Sequence, residues 1–337
     1  MRIVIALLCL SLILFSCNSG DKSPDVSTIR ITLATQRFEQ GLFTLDTLSV
    51  TNGLAALQAK YPGFTENFLG TILNCDPQWP ADTTANYVKG FIGAYRQVYD
   101  TAQIVFKDFS DYEKEIGKAL QYVKYYFPSY PVPEKIITYI GPLDGYGDIL
   151  TEKEILVGLH QHLGKDFSLY HSAMVQETYP DYISRRFTPD YITVNCMKNV
   201  IDRLFPEKME DKPLVQQMVE KGKRLYALSK LLPQTEEYKL IGYKKEQLEG
   251  AYEHERAIWD LFVQNNFLQT LDNNIIKNYI AEGPKTQELG EASPGNIGSF
   301  AGWQIVKKFM KKNPDLGLQK LMATDAETIF QEAKYKP

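Results

Sequence analysis

Apolar and polar residues alternate with a period of two in parts of the first half of the chain, which is typical of half-buried strands. Ile29, Ile31 and Leu33 alternate with polar or small residues and predict a first strand. Two further β-prone runs, at residues 135–140 and 155–160, flank a glycine-rich turn. Their spacing predicts a hairpin or a pair of adjacent strands.

Apolar residues recur at helical spacing through most of the remaining chain. In the clearest example, Ile116, Leu120 and Val123 lie on one face of a helix that ends before Pro128. Helices are predicted at residues 55–61, 84–105, 111–127, 191–205, 213–232, 246–267, 296–312 and 325–335. A few strands in the N-terminal half, followed by a helical C-terminal half, predict a predominantly helical α+β domain.

The N-terminus has the form of a bacterial lipoprotein export signal. An apolar run at residues 3–15 ends at Ser16 and Cys17, an arrangement that directs acyl chains such as palmitate to the cysteine. The run has 13 residues, fewer than the roughly 20 that span a bilayer. We therefore predict that Cys17 is lipidated and anchors the protein to a membrane. The predicted divisions are a signal peptide at residues 1–16, a flexible tether at residues 17–27 and a single globular domain at residues 28–337.

Composition and charge narrow the function classes. The full chain has 44% hydrophobic and 23% charged residues, which is the composition of an ordinary globular protein. The formal net charge of -4 argues against a nucleic-acid partner, because nucleic-acid binding needs a basic face. After processing and lipidation, Cys75 and Cys196 remain as thiols. They either pair in an oxidising periplasm or stay free and half-buried.

Histidine spacing gives no zinc-peptidase motif. The His-Glu pair at residues 254–255 is followed by Ile258 where H-E-x-x-H requires a second histidine. His160 and His162, with His171 further along, have the period of one strand face, but we interpret them as histidines on the solvent side of a strand. Walker, dinucleotide-binding and G-x-S-x-G motifs are also missing from the sequence. We predict no metal site, no cofactor and no catalytic residue.

Glu255 is an acid on an apolar helix stripe. Tyr252 and Trp259 lie on the same face of the helix predicted at residues 246–267. A buried carboxylate needs a partner or a raised pKa. We interpret Glu255 as a structural acid that pairs with an arginine or a tyrosine hydroxyl; the alternative is the acid of an unconventional hydrolase.

The most patterned segment opens the helix predicted at residues 296–312. Asn296 marks its start, Gly298 and Gly302 lie one turn apart, and Trp303 follows. Glycine in a helix interior costs about 1 kcal/mol relative to alanine, so two of them indicate close approach of another backbone. The segment is either packed within the domain, which we favour, or forms a groove for a partner.

A set of short motifs, in this order and spacing, resembles the family of the gliding-motility lipoprotein GldB of the Bacteroidetes. The motifs are RFEQ at residues 37–40, KYP at 60–62, VKYYFP at 123–128, LGKD at 163–166, LLP at 231–233, SPG at 293–295 and GWQIV at 302–306, together with Cys17. The resemblance implies a membrane-anchored, non-catalytic component of the envelope machinery for gliding and its associated secretion. Its partners would be other envelope and motility proteins.

That family in turn looks similar to predicted zinc peptidases of the zincin type. In the matching helix, at residues 191–205, Asn195 and Asn199 stand where the two histidines would be, and Lys221 replaces the third ligand on the next helix. The resemblance implies a zincin-like scaffold without zinc. A degenerate or unconventional hydrolase and a binder of envelope peptide or glycan are the alternatives. Asn18, in place of an aspartate after Cys17, favours the outer over the inner membrane.

Overall fold

A four-stranded mixed sheet lies in the N-terminal half of the domain. The computed structural model describes residues 23–337, so the signal peptide, Cys17 and most of the predicted tether lie outside the described residues. The strands are β1 (Ala34–Arg37), β2 (Lys135–Tyr139), β3 (Ile149–Leu150) and β4 (Glu154–Gly158). Their order is β1-β2-β4-β3, in which β1, β2 and β4 are parallel and β3 is antiparallel to β4.

The sheet confirms two predicted strands and corrects the third. β2 and β4 lie where predicted and are adjacent, but they are parallel, so they form no hairpin with each other. The strand predicted around Ile29, Ile31 and Leu33 is wrong. Pairing with β2 begins only at Ala34, and the three apolar side chains instead pack, partly buried, against the core.

Helices fill the rest of the first half. They are α1 (Phe38–Phe43), α2 (Val50–Lys60), α3 (Phe64–Asn67) with a π-helical turn at Phe68–Ile72, α4 (Ala81–Ala94), α5 (Arg96–Val105) and α6 (Ser110–Tyr126). A single helix was predicted at residues 84–105. The structure divides it at Tyr95, whose backbone leaves the helical region, so that α4 ends and α5 begins there.

The second half is almost entirely helical, as predicted. It contains α7 (Ala173–Thr178), α8 (Asp181–Ser184), α9 (Ile192–Leu204), α10 (Leu214–Leu231), α11 (Glu237–Ile241), α12 (Lys245–Glu253), α13 (Glu255–Gln264), α14 (Asn273–Ile280), α15 (Ile297–Lys312), α16 (Leu318–Ala323) and α17 (Ala326–Ala333). The helix predicted at residues 246–267 is divided at His254 into α12 and α13. The predicted α+β class, predominantly helical, is confirmed.

Helix α15 lies at the centre of the C-terminal half. Twelve of its 16 residues are buried, and its most extensive neighbour in the described structure is α10. Short helices α16 and α17 complete the packing around this pair. An element that is buried on nearly every side must be matched by its neighbours in shape, so the α10–α15 pair is the part of the fold least tolerant of added volume.

The last residues of the predicted tether contact the domain. Val26 is fully buried, its carbonyl accepts a hydrogen bond from the backbone N–H of Ile29 at 3.0 Å, and Gln121 of α6 donates to the carbonyl of Ile29 at 2.7 Å. Val26, at the end of the predicted tether, is thus buried against the domain. Within residues 23–337, no helix has the length and apolar character needed to cross a bilayer.

Candidate functional site

A buried ion pair joins Asp148, just before β3, to His162, just after β4. The His162 Nε2 lies 2.9 Å and 3.1 Å from the two carboxylate oxygens, and its Nδ1 lies 3.1 Å from the carbonyl oxygen of Thr188. The two side chains are only 1% and 3% exposed. Because both ring nitrogens face acceptors, both carry protons, and His162 is an imidazolium ion.

Electrostatics agrees with this protonation state. Burial alone would lower the pKa of His162, but the charge and hydrogen bond of the Asp148 carboxylate, with the carbonyl of Thr188, raise that pKa above its ordinary value. Each charge compensates the other in an interior where an unpaired charge would be strongly unfavourable.

Helix α9 supplies two side-chain amides that donate hydrogen bonds to Asp148. Asn195 Nδ2 donates to the Asp148 carboxylate at 3.0 Å, and Asn199 Nδ2 donates to the Asp148 backbone carbonyl at 2.9 Å. The backbone N–H of Gly158 donates to the same carboxylate at 3.2 Å. One turn of helix therefore uses both of its asparagines to hold one aspartate.

These two asparagines are the residues that the peptidase resemblance places where imidazole ligands would stand. Zinc in proteins is held by imidazole nitrogen, thiolate sulfur and carboxylate oxygen, and an amide nitrogen that donates to Asp148 offers no lone pair. Lys221, at the third position, donates to Glu207 at 2.7 Å. Across residues 23–337, no group of three or more His, Cys, Asp or Glu side chains is placed to hold a metal ion. The residues present do not fit zinc.

His160, two residues before the ion pair, is in the opposite charge state. Its Nδ1 accepts the backbone N–H of Gly141 at 3.0 Å, so Nε2 carries the proton and donates to the carbonyl of Tyr146 at 3.0 Å. Burial lowers the pKa of His160 to about 3, and the charge of His162 acts in the same direction. This imidazole is neutral at physiological pH.

The expectation that these histidines face solvent is wrong. Strand β4 ends at Gly158, and a 3₁₀ turn at Leu159–Gln161 carries His160 and His162 into the interior, where both are buried. His171 behaves as a surface residue: its side chain is 56% exposed, and its Nδ1 lies 3.8 Å from Asp181.

The side chains around the ion pair also fix the glycine-rich loop at residues 141–147. The Gln161 amide and the Tyr179 hydroxyl donate to the carbonyl of Gly145 at 3.0 Å and 2.7 Å. The Tyr139 hydroxyl donates to the carbonyl of Tyr146 at 2.9 Å. Sequence analysis missed Asp148 and these tyrosines; the available signal was an aspartate directly after a glycine-rich turn.

The segment with Gly298 and Gly302 lies inside the domain. A Cβ at Gly302 would be 1.7 Å from the carbonyl oxygen of Met218 in α10, and one at Gly298 would be 2.8 Å from the carbonyl oxygen of Tyr279. Asn296 precedes α15 in the left-handed conformation, with φ 56°, and Trp303 is fully buried. The structure places this segment in helix packing.

Sequence analysis missed the partner of Gly302, which is Gly222 on α10. A Cβ at Gly222 would lie 2.3 Å from the carbonyl carbon and oxygen of Gly302. Each helix therefore contributes a glycine to the same point of contact, and the two backbones approach closely there.

Glu255 is half-buried and accepts a hydrogen bond from the hydroxyl of Tyr335. The ring of Tyr335 packs edge-on against Trp259, with centroids 4.9 Å apart. A tyrosine hydroxyl was one of the two expected partners. Tyr252 lies on α12, before the break at His254, and is 38% exposed.

Cys75 and Cys196 are both buried free thiols. Of the two alternatives left open by the sequence, the structure shows unpaired cysteines. Burial raises the pKa of both thiols, and for Cys196 the charge of Asp148 adds to that effect. Burial therefore favours the thiol over the nucleophilic thiolate at both positions.

Comparison with known proteins identifies the family. The family described as "Gliding motility protein GldB" matches residues 19–337, nearly the whole chain. Comparison with curated proteins and with solved structures gives no match. The resemblance seen in the short motifs is thereby confirmed. The chain belongs to the GldB family of gliding motility proteins.

Proposed function

We propose that the protein is a lipid-anchored envelope component of gliding motility and associated secretion, and that it acts through protein contacts without catalysis. The observation that carries the non-catalytic part is the closed Asp148–His162 centre. A general base must reach the proton that it removes and must have a free lone pair. His162 is 1% exposed and has both nitrogens engaged, so it offers neither access nor a lone pair.

The amides of α9 support the same proposal. Asn195 and Asn199 bind Asp148, so the helix that would carry metal ligands in a zinc peptidase here stabilises the junction between the sheet and the helical half. In this proposal the position that would hold the metal in a zinc peptidase is a structural centre, and function resides in the surface presented to other envelope proteins.

Anchoring would come from acyl chains on Cys17, in the outer membrane in preference to the inner membrane. Replacing Cys17 with alanine should move the protein from the membrane fraction to the soluble fraction, because more than one acyl chain is needed for stable attachment and none could be added. Immunoblots of fractions after a high-salt wash measure the distribution. Cys75→Ala, which leaves the lipidation site intact, should stay with the membranes. A Cys17→Ala protein that still sediments would contradict the anchor.

Glu255→Gln tests catalysis by the remaining candidate acid. The amide keeps an acceptor for the Tyr335 hydroxyl but cannot act as a general acid or base. In cells that depend on this protein for gliding, the variant should support motility equal to that of the parent, at equal protein level. Cells that contain normal amounts of the variant but do not glide would favour the hydrolase alternative.

A further inference from the structure

A cavity of about 180 Å³ lies between α9, α10, α11 and the start of α15, away from the Asp148–His162 centre. One wall is aliphatic and is formed by Ile201, Leu225, Leu228, Leu240 and Ile241. The lining also contains charged side chains, and Asn296 and Ser299 from the start of α15 complete it. A space of this form suits a small group with an apolar part and a polar part.

The carboxylates that line this cavity are already paired. Asp202 binds Arg224 at 2.9 Å, Glu207 binds Lys221 at 2.7 Å, and Glu282 binds Arg186 at 3.0 Å. The lining also contains Lys198, which has no hydrogen-bond or ion-pair partner among residues 23–337. Three acids and three cations line the cavity, and Lys198 is the one cation among them without a direct partner in the described residues.

Lys198 is partly buried, and its surroundings disfavour its charge. Burial lowers the pKa of Lys198 to about 8, and Arg186 acts in the same direction. The charged groups that act on it are Arg186, Glu282, Asp202 and Lys221, and Arg224 and Glu207 also line the cavity. Glu282 and Asp202 favour its charge from a distance but are bound to other cations, and a bound anion would give Lys198 the direct ion-pair contact that it lacks.

We propose that this cavity binds a carboxylate that carries a short branched aliphatic group, with Lys198 as the ion partner and the Ile201–Leu228–Leu240 wall as the apolar contact. The size agrees, because an apolar cavity of roughly 150 Å³ holds a benzene molecule, and an isobutyl group with a carboxylate is comparable. Two sources share this chemistry: the C-terminal residue of a peptide and a free short-chain acid. The inference does not depend on lipid anchoring or on the role in motility.

Calorimetric titration of the full chain in detergent would test binding. The probes are N-acetyl-leucine, which represents a peptide C-terminus, and 4-methylpentanoate, which represents a free acid. N-acetyl-leucinamide has the same shape without the charge and should bind at least about tenfold more weakly than N-acetyl-leucine, since hydrogen bonds to charged groups are the stronger ones. The tighter of the two acids identifies the source. If neither acid binds, or if the amide binds equally well, the proposal is wrong.

Variants separate binding from folding. Lys198→Met keeps the aliphatic stem and removes the charge, so affinity for the acids should fall at least about tenfold. Its melting temperature should be unchanged or higher, because an unpartnered charge has been removed from a partly buried position. Lys320→Met, at an exposed position on α16, is the matched control and should bind like the parent. Unchanged affinity in a folded Lys198→Met protein would overturn the proposal.

The pH dependence provides an independent measurement. A carboxylate beside Lys198 favours its charged form, so binding near pH 8 should be accompanied by proton uptake, and affinity should fall as the pH rises above about 8. Heats measured in buffers of different ionisation enthalpy report the uptake. Lys198→Met should show none. Binding to the parent without proton uptake would place the anion elsewhere.

Discussion

Replacing Gly302 with alanine should destabilise the domain by at least about 3 kcal/mol and lower its melting temperature by roughly 6 °C or more. A methyl group there would lie 1.7 Å from the carbonyl oxygen of Met218 and 2.3 Å from its carbonyl carbon. Both atoms belong to backbone, so no side-chain rotation relieves the overlap, and α10 and α15 must separate. Gly302→Leu should be worse. Thermal unfolding followed by circular dichroism measures the change.

Gly117→Ala is the matched control for this prediction. Gly117 lies inside α6, and a Cβ there would meet no atom within 4 Å. The same substitution should therefore raise stability by up to about 1 kcal/mol through helix propensity alone. A Gly302→Ala protein that melts at or above the temperature of the parent would show that α10 and α15 are not in backbone contact.

Replacing Asp148 with asparagine should destabilise the domain by about 3–5 kcal/mol, the usual effect of removing one partner from a buried ion pair. His162 would lose its counter-charge, and the amides of Asn195 and Asn199 would remain around a neutral side chain. Urea unfolding at several pH values measures the free energy. Adding His162→Gln to Asp148→Asn should restore part of the loss, because the second change removes the unpaired imidazolium.

The sign of the pH dependence is set by the pKa of His162. That pKa is raised in the folded state, so the contribution of the ion pair is complete below about pH 6.5 and is lost as the pH rises through the raised value. The difference in the free energy of unfolding between the parent and Asp148→Asn should therefore become smaller at alkaline pH. His160 acts in the opposite sense: its folded pKa of about 3 means that stability is lost as the pH falls below about 6.5.

A surface ion pair serves as the control for the buried one. Asp111 and Lys114 are 2.9 Å apart, with side chains 85% and 74% exposed. Asp111→Asn should leave the melting temperature unchanged, because an ion pair in full contact with water contributes almost nothing. If Asp148→Asn also left the stability of the protein unchanged at every pH, His162 would not be an imidazolium in the folded protein.

Local patterns predicted most of the fold and little of the site. The spacing of apolar residues correctly predicted β2, β4 and most helices. A strand or helix with one buried face has apolar residues at a regular interval along the sequence, so the pattern can be recognised locally. The two glycines of α15 likewise predicted the close approach of another backbone. Gly222 was not predicted, because an apolar stripe on α10 does not say which helix it meets. The helix breaks at Tyr95 and His254 were also missed, since helical spacing continues across both.

The ion pair is missed for a different reason. His162 is 14 residues from Asp148, and Asn195 is 47 residues from it, so the three meet only once the sheet and α9 have packed. Before the fold is known, two histidines after a strand look like surface residues. Buried charged side chains are rare, so the sequence alone favours placing such histidines on the solvent-facing side of the strand.

The order of strands in the sheet bears on how the chain folds. β1 pairs with β2, whose first residue follows that of β1 by 135 − 34 = 101 residues, and the intervening chain contains α1 to α6. Helices made of local contacts form quickly, whereas a parallel pairing over this distance is slow. In a chain that emerges N-terminus first, Ala34–Arg37 stays an unpaired edge until Lys135–Tyr139 appears. That interval is when the nascent protein is most open to pairing with other unfolded chains.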